Sequence, residues 1–152
     1  LLNLRSKGDI MFVGNPVLWK DKKPTYDHHN PNPPISNKAF QPGERLKNIS
    51  IVEQRELGAL VAFFDDENGE EYFMVVNLQH GANMNKLDGQ RTILIAFDKS
   101  IEKVERLNRL TGRVEILKTH EESSTTSRVT VRLEGGTGDL FKWSNGNPWA
   151  LR

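Results

Sequence analysis

The 152-residue chain contains no cysteine. That excludes a disulfide scaffold, a thiolate metal site and a cysteine nucleophile, and leaves folding to burial alone. At this length a single domain buries roughly 68–70% of the surface its unfolded chain exposes, so no covalent staple is required. Excess charge of one sign is also missing: 21 Lys and Arg stand against 20 Asp and Glu, a net charge of +1. A protein that grips a phosphate backbone draws its affinity from clustered cations, so a nucleic-acid partner is not expected. No apolar run comes near the ~20 residues that cross a bilayer, and stretches such as Met74-Val75-Val76 are strand-sized. No membrane partner is expected either. No secretory leader is visible, and the chain opens on Leu1 rather than Met, which reads as the cut end of a processed or longer protein.

Proline is scarce except in one place. Six of the seven prolines fall within residues 14–48, among many Asn and Lys, as in Asn30-Pro31-Asn32-Pro33-Pro34. Each proline fixes φ and removes a backbone donor, so neither a helix nor a central strand persists there. Residues 1–48 are therefore expected to be an irregular segment, and a stretch of this length is either functional or draped over a partner.

From residue 49 the character changes to short alternating or apolar runs separated by turn residues. Strands are expected at Ile49–Glu53, Ala59–Phe63, Glu71–Leu78, Thr92–Phe97, Val104–Asn108, Val114–Leu117, Val129–Leu133 and Leu140–Trp143. Asn68-Gly69 is the strongest short hairpin signal, and Thr111-Gly112 and Gly135-Gly136-Thr137-Gly138 mark two further turns. Ile101, Val104, Leu107 and Leu110 are spaced three apart, but the flanking Asp98-Lys99-Ser100 and Thr111-Gly112 favour a hairpin arm over a helix. About eight strands at this spacing predict an all-β fold, an antiparallel β-sandwich with one wet face to each sheet. The chain reads as one domain, with the sandwich core over 49–143 and a tail over 144–152.

Several of these runs, in this order, resemble a known group. Gly58–Asp65, then Asn68-Gly69, then Tyr72–Asn77 is similar to a hairpin of the C-terminal β-sandwich modules that follow the (β/α)-barrel of large glycoside hydrolases. Ile95–Leu107, Leu110-Thr111-Gly112 and the closing Leu133–Trp143 continue the likeness. The opening Leu1–Gly8 resembles the segment that leaves the barrel. The resemblance implies a covalently linked or adjacent catalytic barrel as partner, an exported location (periplasmic, cell-surface or extracellular), and catalytic carboxylates on the barrel rather than on this chain.

The reactive constellations all have plainer readings. Glycoside hydrolysis needs two carboxyl groups about 5–5.5 Å apart for retention or about 6.5–9.5 Å for inversion. Among 20 acids some such pair arises by chance, and most of these acids flank turns or alternate with apolar residues. Asp27-His28-His29 is the densest polar cluster, but adjacent residues of an extended chain point to opposite sides, and His80 and His120 lie far away in sequence. A zinc site wants three or four convergent ligands, so no metal and no cofactor are expected. Asp65-Asp66-Glu67-Asn68 has oxygen ligands for calcium but lacks the spacing of a calcium loop, and reads as a hairpin tip. The glycines at 135–138 lack the Lys-Ser or Lys-Thr of a phosphate loop, and no serine sits in a nucleophile elbow.

Aromatics are few, and their placement carries the remaining functional signal. Trp19, Tyr26, Trp143 and Trp149 fall in the irregular segment or near the C-terminus. An aromatic face binds a sugar ring through its C–H groups, so these four with His28 and His29 are the candidate carbohydrate-binding residues. The same tryptophans serve equally well as packing, over the sandwich or against a neighbouring domain. The expected function is a non-catalytic accessory domain that packs on and supports the catalytic barrel. The alternative is a carbohydrate-binding module contacting polysaccharide through exposed aromatics, and a third reading is intrinsic glycoside hydrolase activity.

Overall fold

In a computed structural model of the chain, the described residues are 3–8, 10–14, 38–53, 58–144 and 149. They hold twelve strands and no helix: β1 (Arg5–Ser6), β2 (Met11–Val13), β3 (Lys38–Ala39), β4 (Leu46–Ile51), β5 (Ala59–Asp65), β6 (Glu71–Asn77), β7 (Arg91–Asp98), β8 (Lys103–Leu107), β9 (Val114–Ile116), β10 (His120–Glu121), β11 (Thr126–Leu133) and β12 (Gly138–Ser144). They form two sheets. The large one runs β3-β2-β5-β6-β12-β8-β9, with β1 also pairing β5, and the small one runs β10-β11-β7-β4. Every pairing is antiparallel except β2 with β3. The fold is an all-β sandwich, and each of the eight expected strands is present. β1, β2 and β3 add strands within the stretch expected to be irregular.

The core follows from alternation. On the large sheet Val61, Phe73, Val75, Val104, Phe141 and Trp143 point inward; on the small sheet Ile49, Ile93, Ile95, Phe97, Val129, Val131 and Leu133 meet them. These are mostly β-branched or aromatic residues, which fit a pleated and half-buried surface. Two aromatic stacks tie the large sheet together, Phe73 on Trp143 at 4.3 Å and Phe73 on Phe141 at 5.0 Å between ring centroids.

Two local features set the geometry around the sites. The hairpin turn signalled by Asn68-Gly69 joins β5 to β6. Gly69 N–H donates to the Asp66 carbonyl at 3.1 Å and Asp66 N–H to the Glu70 carbonyl at 3.0 Å, closing a three-residue loop. Only Gly69 takes a positive φ, of 75°, while Asn68 does not. This is a type I turn closed by a left-handed glycine. At the other end of β6, two crossings between the sheets meet. The fully buried Asn77 donates from Nδ2 to the carbonyls of Gly89, Leu133 and Glu134, at 2.8, 3.0 and 3.3 Å. Beside it the backbones of Gly89 and Gly135 pass so closely that a Cβ on Gly135 would lie 2.5 Å from the Gln79 carbonyl.

Candidate functional site

The residues that point away from the core make the large sheet unusual. Alternation places Leu60, Ala62 and Phe64 of β5, Met74 and Val76 of β6, Leu140 of β12, Leu107 of β8, and Val114 and Ile116 of β9 on its outer side. Register makes them neighbours: Ala62 lies beside Met74, Met74 beside Leu140, Leu140 beside Leu107, and Leu107 beside Val114. Phe12 of β2 extends the row next to Leu60. Most are half-buried, and Ile116 is 64% exposed. The wet outer face expected of this sheet is thus replaced by a continuous apolar one, of the kind that marks an interaction surface.

One end of that face is polar yet closed. Lys142 is 1% exposed, with its Nζ 3.2 Å from Glu70 Oε2 and 6.0 Å from the centre of the Tyr72 ring. A lysine taken out of water this far has to be paired, and Glu70 supplies the partner. Glu105, also buried, sits opposite Lys142 in register. Burial, then the hydrogen bond from its hydroxyl to Asp66 at 3.1 Å, pushes the Tyr72 ionisation far above the ordinary tyrosine range. Burial pushes the Asp66 carboxyl upward as well, but the N–H groups of Glu70 and Asn68 and the Tyr72 hydroxyl outweigh it and hold the acid below its usual range. Trp149 from the C-terminal tail lies edge-on against Tyr72, 5.1 Å between ring centroids, and is 7% exposed.

A second feature opens between the two sheets at the end opposite Asn77. It is a cleft of about 400 Å³ lined by Lys7, Gly43, Glu44, Arg45, Leu46, Phe63, Gly69 and Glu71. The large sheet supplies Phe63 and Glu71, the turn supplies Gly69, and the start of β4 brings Arg45 and Leu46 from the small sheet. Lys7 arrives after β1, fixed by its N–H donating to the Phe63 carbonyl at 2.8 Å. Its Nζ lies 2.7 Å from Glu71 Oε2 and 3.4 Å from Asp65 Oδ1, and Arg45 Nη1 is 3.4 Å from Glu71 Oε1. The hydrogen bond to Glu71 raises the Lys7 ammonium above its ordinary value despite some desolvation.

Several other charged side chains on and beside the large sheet are paired. Arg109 holds Asp139 at 2.6 Å and Arg106 holds Glu115 at 2.6 Å, while Glu134 lies between Lys86 at 3.6 Å and Arg109 at 3.5 Å. Among the described residues, each carboxyl whose ionisation is displaced is displaced downward: Glu53, Asp66, Asp98, Glu115 and Glu121. A glycosidase acid needs the reverse, a carboxyl kept protonated near neutral pH.

The sequence-predicted carbohydrate residues divide in two. Trp143 is 4% exposed, sandwiched in the core between Phe73 and Phe97, the latter 5.7 Å away between centroids. It presents no face to a glycan, so its role is packing. Trp149 likewise spends its ring on Tyr72. Trp19, Tyr26, His28 and His29 lie outside the described residues. His80 and His120 are both exposed, and no group of three potential metal ligands forms among the described residues. The pairs that shape the cleft and the closed end went unread in the sequence. Lys7, Arg45 and Glu71 are far apart in the chain, and Lys142 in an alternating strand reads as a solvated position.

No family model, no curated protein and no solved structure matches the chain.

Proposed function

We propose that the chain is a non-catalytic β-sandwich module of a carbohydrate-active enzyme, seated on its catalytic domain through the outer face of the large sheet. The observation that carries this reading is the apolar row from Phe12 to Ile116. It faces away from the core and has aliphatic side chains at its centre, with its charges gathered at one end. Such a surface takes a helical layer whose own apolar stripe covers it, and the flank of a (β/α)-barrel is built of such helices. The downward-shifted and ion-paired carboxyls favour a supporting role over hydrolysis, and an exported setting follows from the same resemblance. The first strands, β1 and β2, join this sheet along β5, so the chain enters the fold at the edge of the docking face.

The test uses the protein that carries this module together with its catalytic neighbour. With the face intact, the two domains unfold in one cooperative transition. Met74→Lys combined with Leu140→Lys places charges in the buried seam and splits the melt in two. A melt that stays single overturns the docking reading. So does a stable dimer of the 152-residue chain alone in sedimentation, because the face would then be serving a second copy.

A further inference from the structure

We infer that the cleft between the sheets is a binding site for a neutral, polyhydroxylated ring, a sugar unit, separate from the apolar docking face on the other side of the large sheet. The ligand class follows from the lining. Three carboxylates, Glu44, Asp65 and Glu71, stand at or beside a cleft with two cations, Lys7 and Arg45. An anionic ligand meets the carboxylates and a cationic one meets Lys7 and Arg45, so neither sign of charge is favoured. A hydroxylated ring can use both: each hydroxyl donates to a carboxylate and accepts from an ammonium or guanidinium group. Phe63, half-buried, adds an apolar wall for the C–H groups of the ring.

The site is also held in place before any ligand arrives. The carboxylate of Glu71 is gripped from one sheet by Lys7 at 2.7 Å and from the other by Arg45 at 3.4 Å. The left-handed Gly69 closes the turn at the rim without a side chain, and no atom lies within 4 Å of where its Cβ would be. The volume of about 400 Å³ falls in the range of small-molecule sites. A cleft so shaped takes the end of a glycan or a single residue of it, since its walls belong to two sheets and close on one side. The inference goes beyond the accessory-module reading, and either can fail without the other.

The experiment is a titration of the isotope-labelled 152-residue chain with neutral gluco-, xylo-, manno- and galacto-configured disaccharides, followed by amide chemical shifts. Glucuronate and glucosamine serve as charged controls. The expected result is saturable shifts at Lys7, Gly43–Leu46 and Gly69–Glu71 with at least one neutral sugar, at an affinity that does not change between low and high salt. Glu71→Gln weakens that affinity at least about tenfold, as expected when a charge-assisted hydrogen bond is lost. Lys7→Met, at a position outside the core, weakens it while leaving the melting temperature within a few degrees. Shifts confined to other surfaces, tighter binding of glucuronate or glucosamine than of every neutral sugar, or no response at tens of millimolar sugar each overturn the assignment. Splitting or unity of the melt in the docking experiment has no bearing on this titration.

Discussion

The two sheets share one core but turn different outer faces to their surroundings. On the small sheet the outward positions are Asn48 and Ser50 of β4, Thr92 and Leu94 of β7, and Arg128, Thr130 and Arg132 of β11. Thr130 and Arg132 are exposed between the buried Val129, Val131 and Leu133, so polar and apolar residues alternate strictly. On the large sheet the equivalent outward positions are Leu60, Met74, Val76, Leu107 and Leu140. Both sheets satisfy the core through their inward residues alone. Apolar residues pointing the other way are not needed to fold the sandwich, and they report on something the sandwich meets.

The largest effect that sharpens this contrast concerns two tryptophans on opposite sides of the large sheet. Trp143→Ala opens a hole between Phe73 and Phe97 and lowers stability by about 3–5 kcal/mol in denaturant unfolding. Trp149→Ala removes a ring outside the core cluster that lies edge-on to Tyr72, and lowers it by about 1–2 kcal/mol. Equal losses would place Trp149 in the core and erase the distinction. A smaller effect should separate the faces themselves. An environment-sensitive apolar dye binds the isolated chain, and Leu140→Lys reduces its fluorescence severalfold while Thr130→Lys leaves it unchanged. Equal responses from the two variants would show that the faces do not differ.

The smallest effect lies on the polar side. Glu53 accepts hydrogen bonds from the Thr92 N–H at 2.6 Å and the Thr92 hydroxyl at 2.9 Å. The Thr92 N–H is the main reason its carboxyl lies below the ordinary glutamate value, against some desolvation. A carboxyl depressed in the folded state adds stability above its unfolded value, and that stability is lost as pH falls through the folded value. Glu53→Gln should therefore flatten the loss of stability below about pH 4.5 and do little near neutrality. A variant with an unaltered acid limb would place the effect elsewhere.

Much of the sandwich was legible because it rests on period-two patterns and glycine turns. Val129–Leu133 alternates cleanly, and Thr111-Gly112 marks the turn from β8 to β9, where Gly112 takes a φ of 67°. β1, β2 and β3 were not legible, since strands of two or three residues owe their form to the edge they join rather than to a pattern of their own. The turn at Asn68-Gly69 was legible, but its three-residue length was not, because the extra residue depends on how Asp66 caps the hairpin. The expectation of a wet face failed on the large sheet for a different reason. Its strands Ala59–Phe64 and Tyr72–Val76 are nearly continuous apolar runs, and such runs fit a strand covered on both sides as well as any other. Of the candidate site, only Trp149, beside Tyr72, was named in advance. The cleft depends on Lys7, Arg45 and Glu71 meeting across two sheets, which no local pattern encodes.

The knot of hydrogen bonds at Asn77 has a consequence for how the protein is assembled. The connection from β6 to β7 and the one from β11 to β12 are both fastened by a single amide, to carbonyls as far as 57 positions along the chain. The bond to Gly89 is local, but those to Leu133 and Glu134 cannot form until β11 has arrived, so that half of the junction should close late and carry a slow, non-local step of folding. A chain stopped before Gly138 would leave Asn77 without the neighbour that accepts its own N–H, the Thr137 carbonyl, seated in the sheet. The two layers would then be latched by the Asn77 side-chain amide alone.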